Sequence, residues 1–230
     1  MSISEYHAPS AANLTADLAD YIESELTDAV AKKGFASLVV SGGSTPKPLF
    51  EALAQRQLPW NKITVTLADE RWGDVSSKDS SEGMLRETLL RGAASEAAFI
   101  PLKNTAESAS EGRELCHETL AEMTDAFDLV ILGMGEDGHT ASLFPGVSGP
   151  ALDSNSLELC AAIIPPEAPH ERMTLTARAL LNSRKIVLHI VGDKKQQVYL
   201  DALKPGPADE FPIRVVLHQD RVPVDVYSSP

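Results

Sequence analysis

Basic residues are scarce in this 230-residue sequence: 20 Lys and Arg stand against 33 Asp and Glu, which gives a formal net charge of −13. A protein that binds nucleic acid presents a basic surface, so the composition predicts no nucleic-acid partner. The same negative charge repels an anionic ligand. A site for such a ligand must therefore concentrate positive side chains or backbone N–H groups locally.

Long apolar runs and cysteines are also scarce. No stretch of eighteen apolar residues occurs, so we expect no membrane span. The start of the chain lacks both the basic and the apolar region of a secretory signal, so we expect none. The two cysteines, Cys116 and Cys160, have neither metal-binding nor disulfide spacing. We interpret both as reduced packing residues of a cytoplasmic protein.

Length and periodicity together indicate the fold class. The chain shows no repeat, linker or low-complexity tract, so we predict one domain across residues 1–230. Helical periodicity marks residues 11–33, 46–57, 79–91, about 105–124 and 193–203, the third of which Asp79 or Ser80 would cap. Apolar runs typical of strands occupy residues 35–43, 61–69, 127–134, 158–165, 172–176, 184–192 and 213–220. This alternation predicts an α/β fold with a mostly parallel sheet and helices on both faces.

A glycine-rich turn, Ser41-Gly42-Gly43-Ser44-Thr45-Pro46, lies between a predicted strand and a predicted helix. Glycines let the backbone approach an anion, and a helix N-terminus offers free N–H groups. Four residues of this turn are therefore candidate phosphate-binding residues: Gly42, Gly43, Ser44 and Thr45. A plain tight turn, in which a hydroxyl caps the helix, explains the same residues equally well.

Charged residues follow the next predicted strand, in Asp69-Glu70-Arg71-Trp72. Open α/β sheets bind ligands beyond the carboxyl ends of their strands, where Arg71 can hold a phosphate or carboxylate in a bidentate fork. Asp69 is a second candidate for contact with a ligand at this place. The alternative is a surface ion pair beside a half-buried Trp72.

Residues 133–146, GMGEDGHTASLFPG, follow another predicted strand and begin as a G-x-G-x-x-G motif. A dinucleotide site needs a long helix after the third glycine and an acidic residue at the end of the next strand. Pro145 comes too soon for that helix, and Glu158 stands at the start of the next predicted strand. The glycines therefore favour a tight loop that presents His139 as a general base, with Asp137 beside it. The alternative is a histidine that is merely packed in a loop.

Basic residues also occur late in the chain. Arg172 precedes the apolar stretch MTLT, and Lys194 and Lys195 open the last predicted helix. Lysines in a first turn oppose the helix dipole, and a residue that breaks a local rule is a candidate for function. We select Arg172 and Lys195 as candidate anion-binding residues; the alternative is a pair of solvated lysines, which must hold for one of the two. His189 and His218 lie within predicted strands and are interpreted as packing residues.

Together, these motifs resemble the 6-phosphogluconolactonase family. The resemblance runs from about residue 8 to about residue 220, and its most specific part is the string ending in DGHTASLFP. It implies a Rossmann-like α/β fold, no metal, no cofactor and hydrolysis of 6-phospho-D-glucono-1,5-lactone in the pentose phosphate pathway. The expected partner is thus a small sugar-phosphate lactone, with neither a nucleic acid nor a membrane involved.

The resemblance and the chemistry of the residues suggest a division of roles. His139 is expected to take a proton from the water that attacks the lactone carbonyl. Asp137 is expected to hold the tautomer of His139 or to bind a sugar hydroxyl. The phosphate is expected to lie on the turn at 42–45, with Arg71, Arg172 and Lys195 as cationic partners.

Two other functions stay open at this point. Glucosamine-6-phosphate deaminases also carry an Asp-Gly-His loop, but they have a carboxylate where this chain has Phe144 and a tyrosine where it has Arg71. A non-catalytic sugar-phosphate sensor would keep the phosphate-binding turn and lose the base, whereas this chain retains His139. One residue also departs from the lactonase pattern, because Ser81 occupies a position that is often Asn.

Overall fold

Helices and strands alternate along the chain in a computed structural model that describes residues 3–123, 125–147, 149–165 and 170–230. The helices are α1 (Ala11–Lys33), α2 (Lys47–Leu53), α3 (Ser81–Thr88), α4 (Ala109–Ala121), α5 (Ala177–Leu181), α6 (Asp193–Ala202) and α7 (Arg214–Leu217). The strands are β1 (Ile3–His7), β2 (Ala36–Val40), β3 (Ile63–Leu67), β4 (Asp69–Arg71), β5 (Ala98–Ile100), β6 (Leu129–Leu132), β7 (Cys160–Ile163), β8 (Arg172–Leu175), β9 (Ile186–Val191) and β10 (Val224–Ser229).

Seven of these strands form one parallel sheet in the order β1-β10-β9-β6-β2-β3-β5. Every residue of β2 and β6 is buried. Because successive side chains of a strand point to opposite faces, this burial means that both faces of the sheet centre are covered. The predicted α/β fold with a mostly parallel sheet is confirmed.

A second, three-stranded sheet, in the order β4-β8-β7, is antiparallel. Two of the predicted strands, 158–165 and 172–176, contribute to it rather than to the parallel sheet. Its third strand, β4, is only three residues long and was not predicted. The pairing sets Arg71 directly opposite Arg172, so this small sheet brings together two candidate residues that are far apart in the sequence.

The start of α3 is tied to β4 by the side chain of Glu70. This buried carboxylate accepts hydrogen bonds from three backbone N–H groups, those of Arg71 (2.7 Å), Ser81 (2.8 Å) and Glu82 (2.7 Å). Of the two predicted capping residues, Ser80 is the one that caps the helix, because its hydroxyl accepts a hydrogen bond from Gly83 N–H. The free donors of the helix N-terminus are thereby satisfied within the protein.

The prediction of a strand at residues 213–220 is wrong, because the segment forms the short helix α7. Ile213, Val216 and Leu217 are fully buried, and their spacing places them on one face of a helix turn. A short run of branched apolar residues fits either period, so packing against the rest of the chain decides the outcome. His218 consequently follows a helix instead of lying in a strand, and the last strand of the sheet is β10.

Two further expectations concern the apolar character of the chain. No helix within the described ranges is both long and apolar enough to cross a membrane. Cys116 and Cys160 are both buried and do not form a disulfide with each other. Their interpretation as packing residues agrees with this burial.

Candidate active site

A cavity of about 310 Å³ lies at the carboxyl ends of β2, β3, β6 and β9. Nine of the residues selected from the sequence line it: Gly42, Gly43, Ser44, Thr45, Asp69, Arg71, His139, Arg172 and Lys195. The tenth selected residue, Asp137, contacts the His139 side chain directly. Among the described residues, no group of three or more His, Cys, Asp and Glu side chains is arranged to hold a metal ion.

The glycine-rich turn after β2 packs tightly against the start of α3. A Cβ atom on Gly42 would lie 2.2 Å from the Ser81 hydroxyl oxygen, and Gly43 has a left-handed backbone with φ of 100°. Both positions therefore require glycine for steric reasons. Ser81 fills the space beside Gly42. The residue at the position that is often Asn in the lactonase pattern therefore packs against the glycine-rich turn.

The hydroxyls of Ser44 and Thr45 do not cap the helix that follows them. The residue at the N-cap of α2 is Pro46, and no side chain bonds the helix end. Within the described part of the chain, neither hydroxyl has a hydrogen-bond partner, while both residues line the cavity. The structure thus leaves these two groups available to a ligand.

Arg71 and Arg172 form a pair of like charges on adjacent strands. Neither makes a salt bridge with any residue that the structure describes; Arg71 Nη1 instead donates to the Asp79 carbonyl at 2.5 Å. Arg71 Nε and Arg172 Nη1 are buried without a hydrogen-bond partner. Burial, and then the charge of Arg71, lower the pKa of the Arg172 guanidinium. Like charges placed opposite each other destabilise a sheet, and an anion bound between the two guanidinium groups would offset their repulsion.

The surface ion pair considered for the DERW stretch is not formed. Asp69 accepts a hydrogen bond from the Ser142 hydroxyl at 2.6 Å, and Glu70 is occupied by backbone N–H groups. Asp69 therefore links β4 to the loop that carries His139. Neither acid neutralises Arg71 by direct contact.

His139 is oriented by Asp137, whose Oδ1 lies 2.6 Å from His139 Nδ1. The hydrogen bond to His139 lowers the pKa of the Asp137 carboxyl. An ionised carboxylate can only accept, so Nδ1 carries the ring proton and Nε2 keeps a free lone pair. This is the tautomer that a general base needs.

Two glycines make this loop geometry possible. A Cβ on Gly135 would lie 2.2 Å from His139 Nδ1 and 2.4 Å from Asp137 Oδ1. Gly138 has a φ of 79°, and a Cβ there would meet the ring of Phe211 at 2.4 Å. The G-x-G-x-x-G pattern therefore serves the close packing of the histidine loop, as the sequence indicated.

The loop is also held from the C-terminal side of the chain. Ile213 N–H donates to the Gly138 carbonyl at 2.9 Å, next to the contact between Phe211 and the same glycine. The ring of Phe144 lies 4.9 Å from that of His139, centroid to centroid. No carboxylate occupies the place of Phe144.

The two neighbouring lysines have different surroundings, as expected. Lys194 is exposed and its Nζ lies 3.7 Å from a Glu136 carboxylate oxygen. Lys195 lines the cavity. Lys194 therefore fits the alternative of a solvated lysine, whereas Lys195 stays a candidate anion-binding residue.

His189 is a residue of the cavity that the sequence interpretation missed. It lies in β9 as predicted, but its side chain lines the cavity and is only 3% exposed. Burial, and then the charge of Lys195, lower its pKa to about 4. The signal was its position near the carboxyl end of a parallel strand, where a side chain can reach the ligand-binding edge.

Comparison with known proteins assigns the chain to a family. Residues 9–224 match the family described as glucosamine-6-phosphate isomerases/6-phosphogluconolactonase. The chain belongs to that family. The 6-phosphogluconolactonase of Rhizobium meliloti (strain 1021) is 39% identical over 227 residues, which cover 98% of this chain and 97% of that protein. That of Pseudomonas aeruginosa is 39% identical over 241 residues and covers 100% of both.

A crystal structure from the same family agrees with the fold. The 6-phosphogluconolactonase of Shewanella baltica OS155 superposes with a TM-score of 0.94 at 43% identity, covering 100% of this chain and 98% of that one. The Rossmann-like fold expected from the sequence is thus confirmed.

The contact between His139 and Asp137 predicts a change in titration. In His139→Ala, the pKa of Asp137 is expected to rise toward its ordinary value, because the hydrogen bond from His139 is the largest cause of its lowering. With a lowered pKa, the stabilising contact persists above the ordinary value and is lost as pH falls through the lowered one. Carboxyl carbon NMR titration measures the shift.

Asp74 serves as the control for this titration. Its pKa is lowered by hydrogen bonds from Ser76, so the substitution at 139 is expected to leave it unchanged. An Asp137 pKa that stays low in His139→Ala would contradict the proposed contact.

Proposed function

We propose that the protein hydrolyses 6-phospho-D-glucono-1,5-lactone to 6-phospho-D-gluconate. The observation that carries the proposal is that one cavity contains a histidine oriented by Asp137 and two arginines with no carboxylate partner among the residues that the structure describes. The first group suits activation of water, and the second suits an anionic substrate. The relatives named 6-phosphogluconolactonase, which match over nearly the whole chain, support the same activity.

The reaction needs a base and then an acid, and His139 serves as both. Nε2 takes a proton from water as the water oxygen bonds to C1 of the lactone. When the bond from C1 to the ring oxygen breaks, the imidazolium returns its proton to that oxygen. Asp137 stabilises the imidazolium between the two steps through Nδ1–H. The products are a carboxylic acid, which ionises, and a hydroxyl, so one water is consumed.

The phosphate of the substrate binds where positive charge and free hydroxyls meet. Arg71, Arg172 and Lys195 supply the charge, and Ser44 and Thr45 supply hydroxyls from the turn after β2. This local concentration overcomes the repulsion from a chain whose formal net charge is −13.

Removal of the base tests the mechanism. His139→Ala is expected to lower kcat by about 10²–10⁴-fold, the usual contribution of general-base catalysis, with little change in KM. The assay follows acid release from fresh lactone, with the spontaneous rate subtracted. His7→Ala, which alters an exposed histidine remote from the cavity, should retain full activity. A His139→Ala enzyme with wild-type kcat would remove His139 from the reaction.

Substitution of a buried arginine tests the phosphate site. Arg172→Met keeps the bulk of the side chain and removes its charge, so KM for the phosphorylated lactone should rise about tenfold or more. KM for unphosphorylated gluconolactone should change little. Thermal stability should hold or increase, because one of two facing charges is gone. Arg172→Lys is the matched control that keeps the charge; equal losses on both substrates would indicate a structural role.

Deamination of glucosamine 6-phosphate is the second candidate, since the family includes such enzymes. Phe144 beside His139 speaks against it, because its ring offers neither a proton nor a negative charge. The protein is expected to release no ammonia from glucosamine 6-phosphate in a preparation that hydrolyses the lactone. Ammonia release at a comparable rate would overturn the lactonase assignment.

Two further points belong to the same proposal. Residues 1–230 form one domain, which is supported by a single family match that spans residues 9–224. The protein acts in the cytoplasm, which is supported by two buried cysteines that remain thiols.

A sensor without catalysis is disfavoured by the intact contact between His139 and Asp137.

A further inference from the structure

His189 is a polar residue in the wall of the cavity. Its Nδ1 is buried and has no hydrogen-bond partner among the described residues. Buried polar atoms are nearly always hydrogen-bonded, so an exception calls for a physical explanation. A strand position between buried Leu188 and Ile190 would be filled at less cost by an apolar residue.

The surroundings of His189 indicate what its partner is. Its side chain and that of Lys195 line the same cavity, and the charge of Lys195 contributes to the lowering of the His189 pKa. At neutral pH the imidazole is therefore uncharged, with one N–H donor and one acceptor nitrogen. A donor beside a lysine suits a group that carries several negatively charged acceptor oxygens.

We propose that His189 is a substrate-contacting residue that donates a hydrogen bond to the phosphate end of the sugar phosphate, beside Lys195. This role rests on the proposed lactonase function and adds to it a residue that selects phosphorylated over unphosphorylated ligands. The imidazole needs no protonation change for this role. His139 carries out the proton transfers, and His189 contributes affinity.

The test compares binding of a phosphorylated and an unphosphorylated acid by calorimetry at pH 7. The two probes are 6-phosphogluconate and gluconate. In His189→Leu, the dissociation constant for 6-phosphogluconate should rise about tenfold or more, as expected for a lost hydrogen bond to a charged group. Affinity for gluconate should stay unchanged. His189→Gln, which retains an N–H donor, should restore part of the affinity.

His218→Leu is the matched control. His218 also has a buried ring nitrogen without a described partner, Nε2, but it does not line the cavity. Its substitution should leave both dissociation constants unchanged. Thermal melting of His189→Leu should show no loss of stability, because leucine leaves no polar atom unpaired.

The outcomes separate this proposal from the one on which it rests. Wild-type turnover of the lactone together with full 6-phosphogluconate affinity in His189→Leu would overturn the role of His189 alone. Equal weakening of both ligands would also overturn it, since the residue would then support the fold. A wild-type protein that neither hydrolyses the lactone nor binds 6-phosphogluconate would remove both proposals.

Discussion

In a sheet whose strands all run parallel, every carboxyl end lies at the same edge, and the loops that leave neighbouring strands must share that edge. Here β9, β6, β2 and β3 are neighbours in this order. The lysine after β9, the histidine loop after β6, the glycine turn after β2 and the arginine after β3 consequently surround one cavity. The shared direction of the strands therefore determines which residues meet at the site.

The antiparallel sheet adds what the parallel one does not supply. By pairing β4 with β8 it sets Arg172 beside Arg71, and Glu70 holds β4 against the first turn of α3. The Glu70 carboxylate accepts hydrogen bonds from three backbone N–H groups and the Ser80 hydroxyl, and it forms no salt bridge with the Arg71 guanidinium. An acidic protein thus retains a small region of positive charge at its cavity.

The parts of the site that could be predicted are those that are local in the sequence. The turn at 42–45 and the loop from Gly133 to His139 each combine the backbone and the functional groups in one short stretch, so their pattern is sufficient. Arg71 and Arg172 were expected at the same phosphate, but the pairing that sets them directly opposite each other could not be predicted, because it arises between distant segments. The helix at 214–217 was mistaken for a strand, since its few apolar residues fit both periods.

His189 shows a different limit. Its place in a strand was predicted, but strand periodicity alone does not say whether a buried face meets the core or a cavity. Whether the side chain meets the core or the cavity depends on where the strand ends relative to the neighbouring strands. The hydrogen bond from Ser142 to Asp69 is likewise a contact between distant segments, and the sequence around neither residue indicates it.

The support of the His139 loop by Phe211 and Ile213 has a consequence for how the protein is made. The loop emerges from the ribosome first, and the described part of the chain has three strands and two α-helices between it and the segment that holds it. Contacts between such distant parts form slowly, because the intervening chain must first be closed into a loop. A growing chain therefore has its glycine-rich turn at 42–45 long before the His139 loop is held in place, and a chain that lost residues 211–230 would lack Phe211 and Ile213 themselves.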